Sequence, residues 1–87
     1  MSCQRLKDIH QAIEQRQAKL LASVKNECLR MVDRSGDKAL LSPDMSRQSP
    51  YRVTRFSANG EPWGHTCYPS ILAAIKDVAC EGYTPTV

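Results

Sequence analysis

Between Leu6 and Met31, apolar residues return at steps of three and four: Leu6, Ile9, Ile13, Leu20, Val24, Cys28 and Met31, with Gln17 in the one polar slot. That spacing draws a single stripe along an α-helix, close to the heptad period. Ser2 supplies an N-cap, and Gly36, just past Arg34 and Ser35, supplies a stop. No proline interrupts the segment, and Ala, Leu, Gln, Lys and Arg dominate it, all residues with high helix propensity. The pattern predicts a helix over residues 4–32, about 43 Å long at ~1.5 Å per residue. A compact chain of 87 residues has a radius of gyration of roughly 12 Å and hence a diameter near ~31 Å. Such a helix outruns its own domain while its stripe, widened by Leu21, Leu29 and Val32, continues to both ends. The surplus predicts self-association through Leu6, Ile9, Ile13, Leu20, Val24 and Met31, most simply as a homodimer, with Gln17 helping to fix register. The alternative is a helix broken near residues 15–17 and folded back on itself, although no turn residue sits there.

The remainder divides into three parts. Residues 33–50 carry Gly36, Pro43, Pro50 and several serines and charges, which is loop chemistry. Leu40 and Leu41 are expected to tuck onto the core, and Ser42-Pro43-Asp44 to start one short helical turn. Residues 51–68 read as an antiparallel β-hairpin. Tyr51-Arg52-Val53-Thr54-Arg55-Phe56 is rich in β-branched and aromatic residues, and Asn59-Gly60 is a strong two-residue turn signal. That loop pairs Phe56 with Trp63 and Val53 with Thr66. One face then carries Arg52, Thr54, Phe56, Trp63, His65 and Cys67. The other carries Tyr51, Val53, Arg55, Gly64, Thr66 and Tyr68. Pro62 cannot donate to a ladder and is the place where this register can shift. Residues 69–82 form a second helix with Ile71, Leu72, Ile75, Val78 and Ala79 on its apolar face and Gly82 at its end. The fold class is α+β in one domain: long amphipathic helix, hairpin, helix.

Chemistry-bearing patterns are sparse. The net charge of +3 is spread along the chain, as on a solvated surface, where phosphate binders usually concentrate it. There is no signal-peptide pattern and no membrane-length apolar run, so the expected location is the cytoplasm. There, Cys3, Cys28, Cys67 and Cys80 read as thiols. His65 and Cys67 lie two apart on one strand face and could contribute to a zinc site with Cys80 and Cys3, but the close ligand pairs of structural zinc sites are missing. Phosphate-loop, dinucleotide and HExxH patterns are missing too. The expectation is a protein without cofactor or catalysis. Its aromatic residues cluster in sequence with Arg47, Arg52 and Arg55, and Trp, Tyr and Arg are the types enriched at binding hot spots. Arg52, Arg55, Trp63 and Tyr68 are therefore the candidate partner-binding residues.

The segment Tyr51-Arg52-Val53-Thr54-Arg55-Phe56, Asn59-Gly60 and Gly64-His65-Thr66-Cys67-Tyr68, followed by Ile71-Leu72-Ala73-Ala74-Ile75, resembles the small accessory proteins of temperate bacteriophages. In size and layout the chain is most similar to the damage-induced phage antirepressors. The resemblance implies a protein of the bacterial host cytoplasm that binds a phage repressor in a state unable to hold DNA and so frees its operator, as in prophage induction. It assigns no binding residue. Two other readings stand beside it: a small basic nucleic-acid-binding protein using the hairpin, since aromatic residues among cations suit single strands, and an inhibitor of another host protein.

Overall fold

The computed structural model describes residues 2–44 and 48–86, with side chains from Lys7 onward. The first helix, α1, runs Ser2–Ser23. It stops there because Asn26 and Glu27 both take positive φ, 54° and 64°, while Lys25 and Cys28 exchange both backbone hydrogen bonds at 2.9–3.0 Å. This is a two-residue hairpin turn of the primed type, and Asn is among the few non-glycine residues that enter the left-handed region readily. The chain then continues as strand β1, Leu29–Val32, with Leu29 and Met31 inward and Arg30 outward. The expected helix over 4–32 is thus corrected: its last third is a turn and a strand.

The expected loop over 33–50 is corrected as well, because it contains strand β2, Lys38–Pro43. Asp33 organises the preceding turn. Its Oδ1 accepts the N–H groups of Ser35 at 2.9 Å and Asp37 at 3.0 Å, and Gly36 takes the positive φ of 89° that closes the loop. An Asx-anchored turn of this kind offers the backbone a hairpin in place of a helix end. Ser42 and Pro43 end β2; the short helical turn expected from Ser42-Pro43-Asp44 would run into residues 45–47, which lie outside the described residues.

Strands β3, Tyr51–Phe56, and β4, Pro62–Tyr68, form the expected hairpin. Its loop has three residues, not two. Ser57 N–H donates to Glu61 O (2.8 Å), Gly60 N–H donates to Ser57 O (2.8 Å), and Gly60 takes a φ of 89°. Val53 still faces Thr66 and Arg55 faces Gly64, but Phe56 faces Pro62. The one-residue offset is absorbed between Arg55 and Phe56, so Trp63 is the extra residue of a β-bulge. Helix α2, Ile71–Glu81, is capped by Ser70, whose Oγ accepts from Ala73 N–H, and ends at Gly82 in the left-handed conformation. A two-residue strand, β5, Thr84–Pro85, follows.

The five strands form one antiparallel sheet in the order β4-β3-β2-β1-β5. Both helices lie on one face, α2 over β3 and β4, and α1 against α2 and β5. Leu20, Met31, Leu41, Val53, Ile75 and Val78 form the sealed centre of the core. The guanidinium of Arg16 donates to Ala79 O and so joins α1 to the last turn of α2, which has no basic residue of its own. The assignment of one self-association stripe changes accordingly. Leu20 and Met31 are 0% and 1% exposed within the protomer, Ile13 and Val24 pack against the same core, and Met31 belongs to the sheet. Ile9 stays half exposed, and the side chain of Leu6 lies outside the described residues. The molecule measures 46 × 29 × 21 Å. Among the described residues no helix is long and apolar enough to cross a membrane. Among them, too, no helix covers the second face of the sheet, which carries Arg30, Lys38, Leu40, Arg52, Thr54, Phe56, His65 and Cys67 by strand alternation.

Candidate functional site

Strand β3 puts a cation where alternation demands a core residue. Arg55 follows Val53 on the inward face and is 7% exposed. A buried guanidinium needs partners for its donors, and the hairpin and α2 supply them. Arg55 Nη1 donates to Thr66 Oγ1 at 3.0 Å. Its Nη2 donates to both carboxylate oxygens of Glu81 at 2.9–3.0 Å, and reaches Tyr68 Oη at 3.5 Å. Tyr68 in turn donates its phenolic proton to Asp77 Oδ2 at 2.9 Å. Asp77 and Glu81 sit four apart on α2, so one helical face presents both carboxylates to the strands. A carboxylate in the last turn of a helix opposes the helix dipole, and the Arg55 ion pair offsets that conflict. Burial pushes the Tyr68 phenol above its ordinary pKa; Arg55 pulls it back down, and Asp77 raises it again.

These groups border a pocket of about 300 Å³ at the β4 edge of the sheet, between β4 and α2. Trp63, Gly64, His65 and Thr66 complete its lining. The bulge sets Trp63 apart from the ordinary pleat, and the residue is 60% exposed. β4 pairs only with β3, so its outer edge is unpaired among the described residues.

Three of the four partner-binding candidates, Arg55, Trp63 and Tyr68, therefore line one pocket. The fourth, Arg52, points to the opposite face of the sheet, where it forms an exposed ion pair with Asp44 at 2.8 Å. Arg47 lies outside the described residues. Asp77 and Glu81 were missed in the sequence, although an acidic pair at i, i+4 on the helix following a hairpin with an inward arginine is a legible signal. His65 and Cys67 do share a face, as expected. Among the described residues no three His, Cys, Asp or Glu side chains converge on a common point. Cys28, Cys67 and Cys80 are exposed free thiols.

Compared with known proteins, the chain matches no family model, no curated protein and no solved structure.

Proposed function

We propose that this chain is a binding protein without catalytic activity, acting as an antirepressor of the phage type, and that it holds its protein partner at the pocket between β4 and α2. The observation that carries the reading is Trp63: a large side chain, mostly exposed, on a bulge at an unpaired sheet edge, beside a wall fixed by the Arg55–Glu81 pair. Tryptophan is among the residue types enriched at interface hot spots. An unpaired strand edge adds main-chain groups that a partner strand can use. A repressor bound here only in a form unable to hold its operator is drawn off the DNA by differential affinity. The exposed half of α1 around Ile9 is the surface for self-association, and the bacterial cytoplasm is the expected setting.

The test is a gel shift with the cognate repressor and its duplex operator. The protein is expected to abolish the repressor–DNA band without shifting the naked operator. Trp63→Ala should remove that effect while the far-UV circular dichroism stays unchanged. Displacement that survives Trp63→Ala removes the pocket from the reading, and failure of the unaltered protein to displace the repressor removes the repressor as partner.

A further inference from the structure

On the uncovered face, two concavities of about 370 and 690 Å³ share Arg30, Leu40 and Thr86 and so run together as one groove. It extends from Phe56 and Lys38 at one end to Lys25 at the other. Arg30 faces Leu40 across the ladder and Val32 faces Lys38, which makes Arg30 and Lys38 diagonal neighbours, about 7–8 Å apart on the same face. Lys25, Arg30 and Lys38 are all exposed. Among the described residues, the groove has no carboxylate in its lining and none of the three cations enters an ion pair. Glu27, on the same turn as Lys25, is engaged elsewhere, accepting a hydrogen bond from Tyr51 at 3.1 Å.

Three cations of one sign along a groove repel one another, and that repulsion is relieved when a polyanion lies between them. The groove also has an apolar floor of Leu40 and Phe56, and Phe56 offers a ring against which a base can stack. We propose that this groove binds single-stranded nucleic acid, with Lys25, Arg30 and Lys38 on backbone phosphates and an unpaired base against Phe56. A duplex keeps its bases stacked on each other and unavailable to the ring, so single strands are the preferred form. The proposal concerns a different surface from the protein-binding pocket and stands independently of it.

The test is fluorescence anisotropy of a labelled fifteen-nucleotide oligothymidylate titrated with the full chain at several salt concentrations. Binding is expected to weaken with salt, with a log–log slope near −2 for three neutralised phosphates at about −0.7 each. The double variant Arg30→Glu/Lys38→Glu should lower affinity by about tenfold or more at low salt and flatten the slope. Both positions are exposed, and an unchanged thermal melt shows that the fold is intact. Phe56→Leu should weaken binding several-fold while leaving the salt slope in place, because it removes stacking and no charge. No binding at low salt overturns the proposal, as does binding indifferent to the double variant. Equal affinity for duplex overturns the single-strand preference. Equal affinity for polyglutamate, lost in the double variant, assigns the groove to an acidic protein segment instead. Repressor displacement measured on the double variant keeps the two readings apart: its persistence alongside lost oligonucleotide binding leaves the pocket reading intact.

Discussion

At the β4 edge the cation is held by carboxylates: Arg55 is clasped by Glu81, and the phenol that links Arg55 to the second carboxylate, Asp77, is itself half of that network. Around β1 and β2 the arrangement is reversed. Lys25, Arg30 and Lys38 line a groove in which the described residues supply no counter-charge. The same sheet thus carries internally neutralised charge on its helix-covered side and, at β1 and β2, uncompensated charge on its open side, where the β3 cation Arg52 is instead paired with Asp44. A neutralised network fixes geometry, because each group limits where its neighbour can be. An uncompensated set leaves its interaction energy to something outside the protomer. The distinction separates residues whose loss destabilises the fold from residues whose loss only weakens binding.

Among the charged and titratable groups, the largest expected effect is on the neutralised side. Glu81→Ala leaves the Arg55 guanidinium buried without its main partner. Full burial of such an orphan costs about 3–5 kcal/mol, and since Glu81 is itself 43% exposed the loss here should be about 2–3 kcal/mol. For a domain this small that lowers the melting temperature by roughly 10 °C or more. Urea denaturation of the variant checks the figure, and a loss below about 0.5 kcal/mol, the range of ordinary surface substitutions, would erase the contrast between the two sides.

Next in size is the response to alkaline pH. Tyr68 and Tyr83 are both buried, and burial is the leading cause that raises each phenol above its ordinary value. Their folded pKa values exceed the unfolded value near ~10. The folded chain therefore keeps protons that the unfolded chain gives up. Stability from these groups is fully present below the unfolded pKa and falls as pH rises through the folded one. Melting temperature should hold steady from pH 8 to about 9.5 and then decline, with Tyr68→Phe shrinking the decline. A flat profile to pH 11 would contradict the burial assigned to these phenols.

How far the sequence anticipated all this depends on how many periodicities each segment satisfies. Tyr51 to Phe56 alternates cleanly, so the hairpin was legible up to the bulge that displaces Trp63, and α2 was legible from its apolar face and the glycine that ends it. The β1–β2 hairpin was not. Leu29 and Met31 extend the three-and-four stripe that runs through Leu20 and Val24, yet they also fit a period of two. The turn that decides between these, Asn26-Glu27, contains no glycine to announce it. Leu40 and Leu41, adjacent in sequence, go to opposite faces of β2 and give no alternation. The pocket was half legible. Arg55, Trp63 and Tyr68 stand out by residue type, but their carboxylate partners come from the following helix. Arg52 and Arg55, three apart on a strand, necessarily point to opposite faces. The groove was invisible because its cations belong to β1, β2 and the turn between α1 and β1, whereas the sequence pattern puts Lys25 and Arg30 on a helix and Lys38 in a loop.

The two halves of α1 repeat the contrast on an apolar scale. Leu20 is sealed in the core and Ile9 is half exposed. Leu20→Ala should cost about 2–5 kcal/mol, like other large-to-small core changes, whereas Ile9→Asp should change stability by less than about 0.5 kcal/mol and act on self-association instead. Sedimentation equilibrium at micromolar concentration reads the second effect. A monomer mass for the unaltered chain would remove α1 as an assembly surface.

The smallest stability effects belong to the groove. Lys25→Ala, Arg30→Ala and Lys38→Ala should each stay within about 0.5 kcal/mol of the parent, as exposed unpaired side chains do; a larger loss from any of them by urea denaturation would show a structural role for that cation.

The central claim is that the sheet carries two separate binding surfaces, and a double dissociation tests it most directly. Trp63→Ala and Arg30→Glu/Lys38→Glu are each assayed for release of the cognate repressor from its operator and for oligothymidylate binding. The account predicts that Trp63→Ala loses repressor release and keeps oligonucleotide binding, while the double variant does the reverse. Loss of both activities in both folded variants would contradict it, and would make the pocket and the groove parts of a single surface.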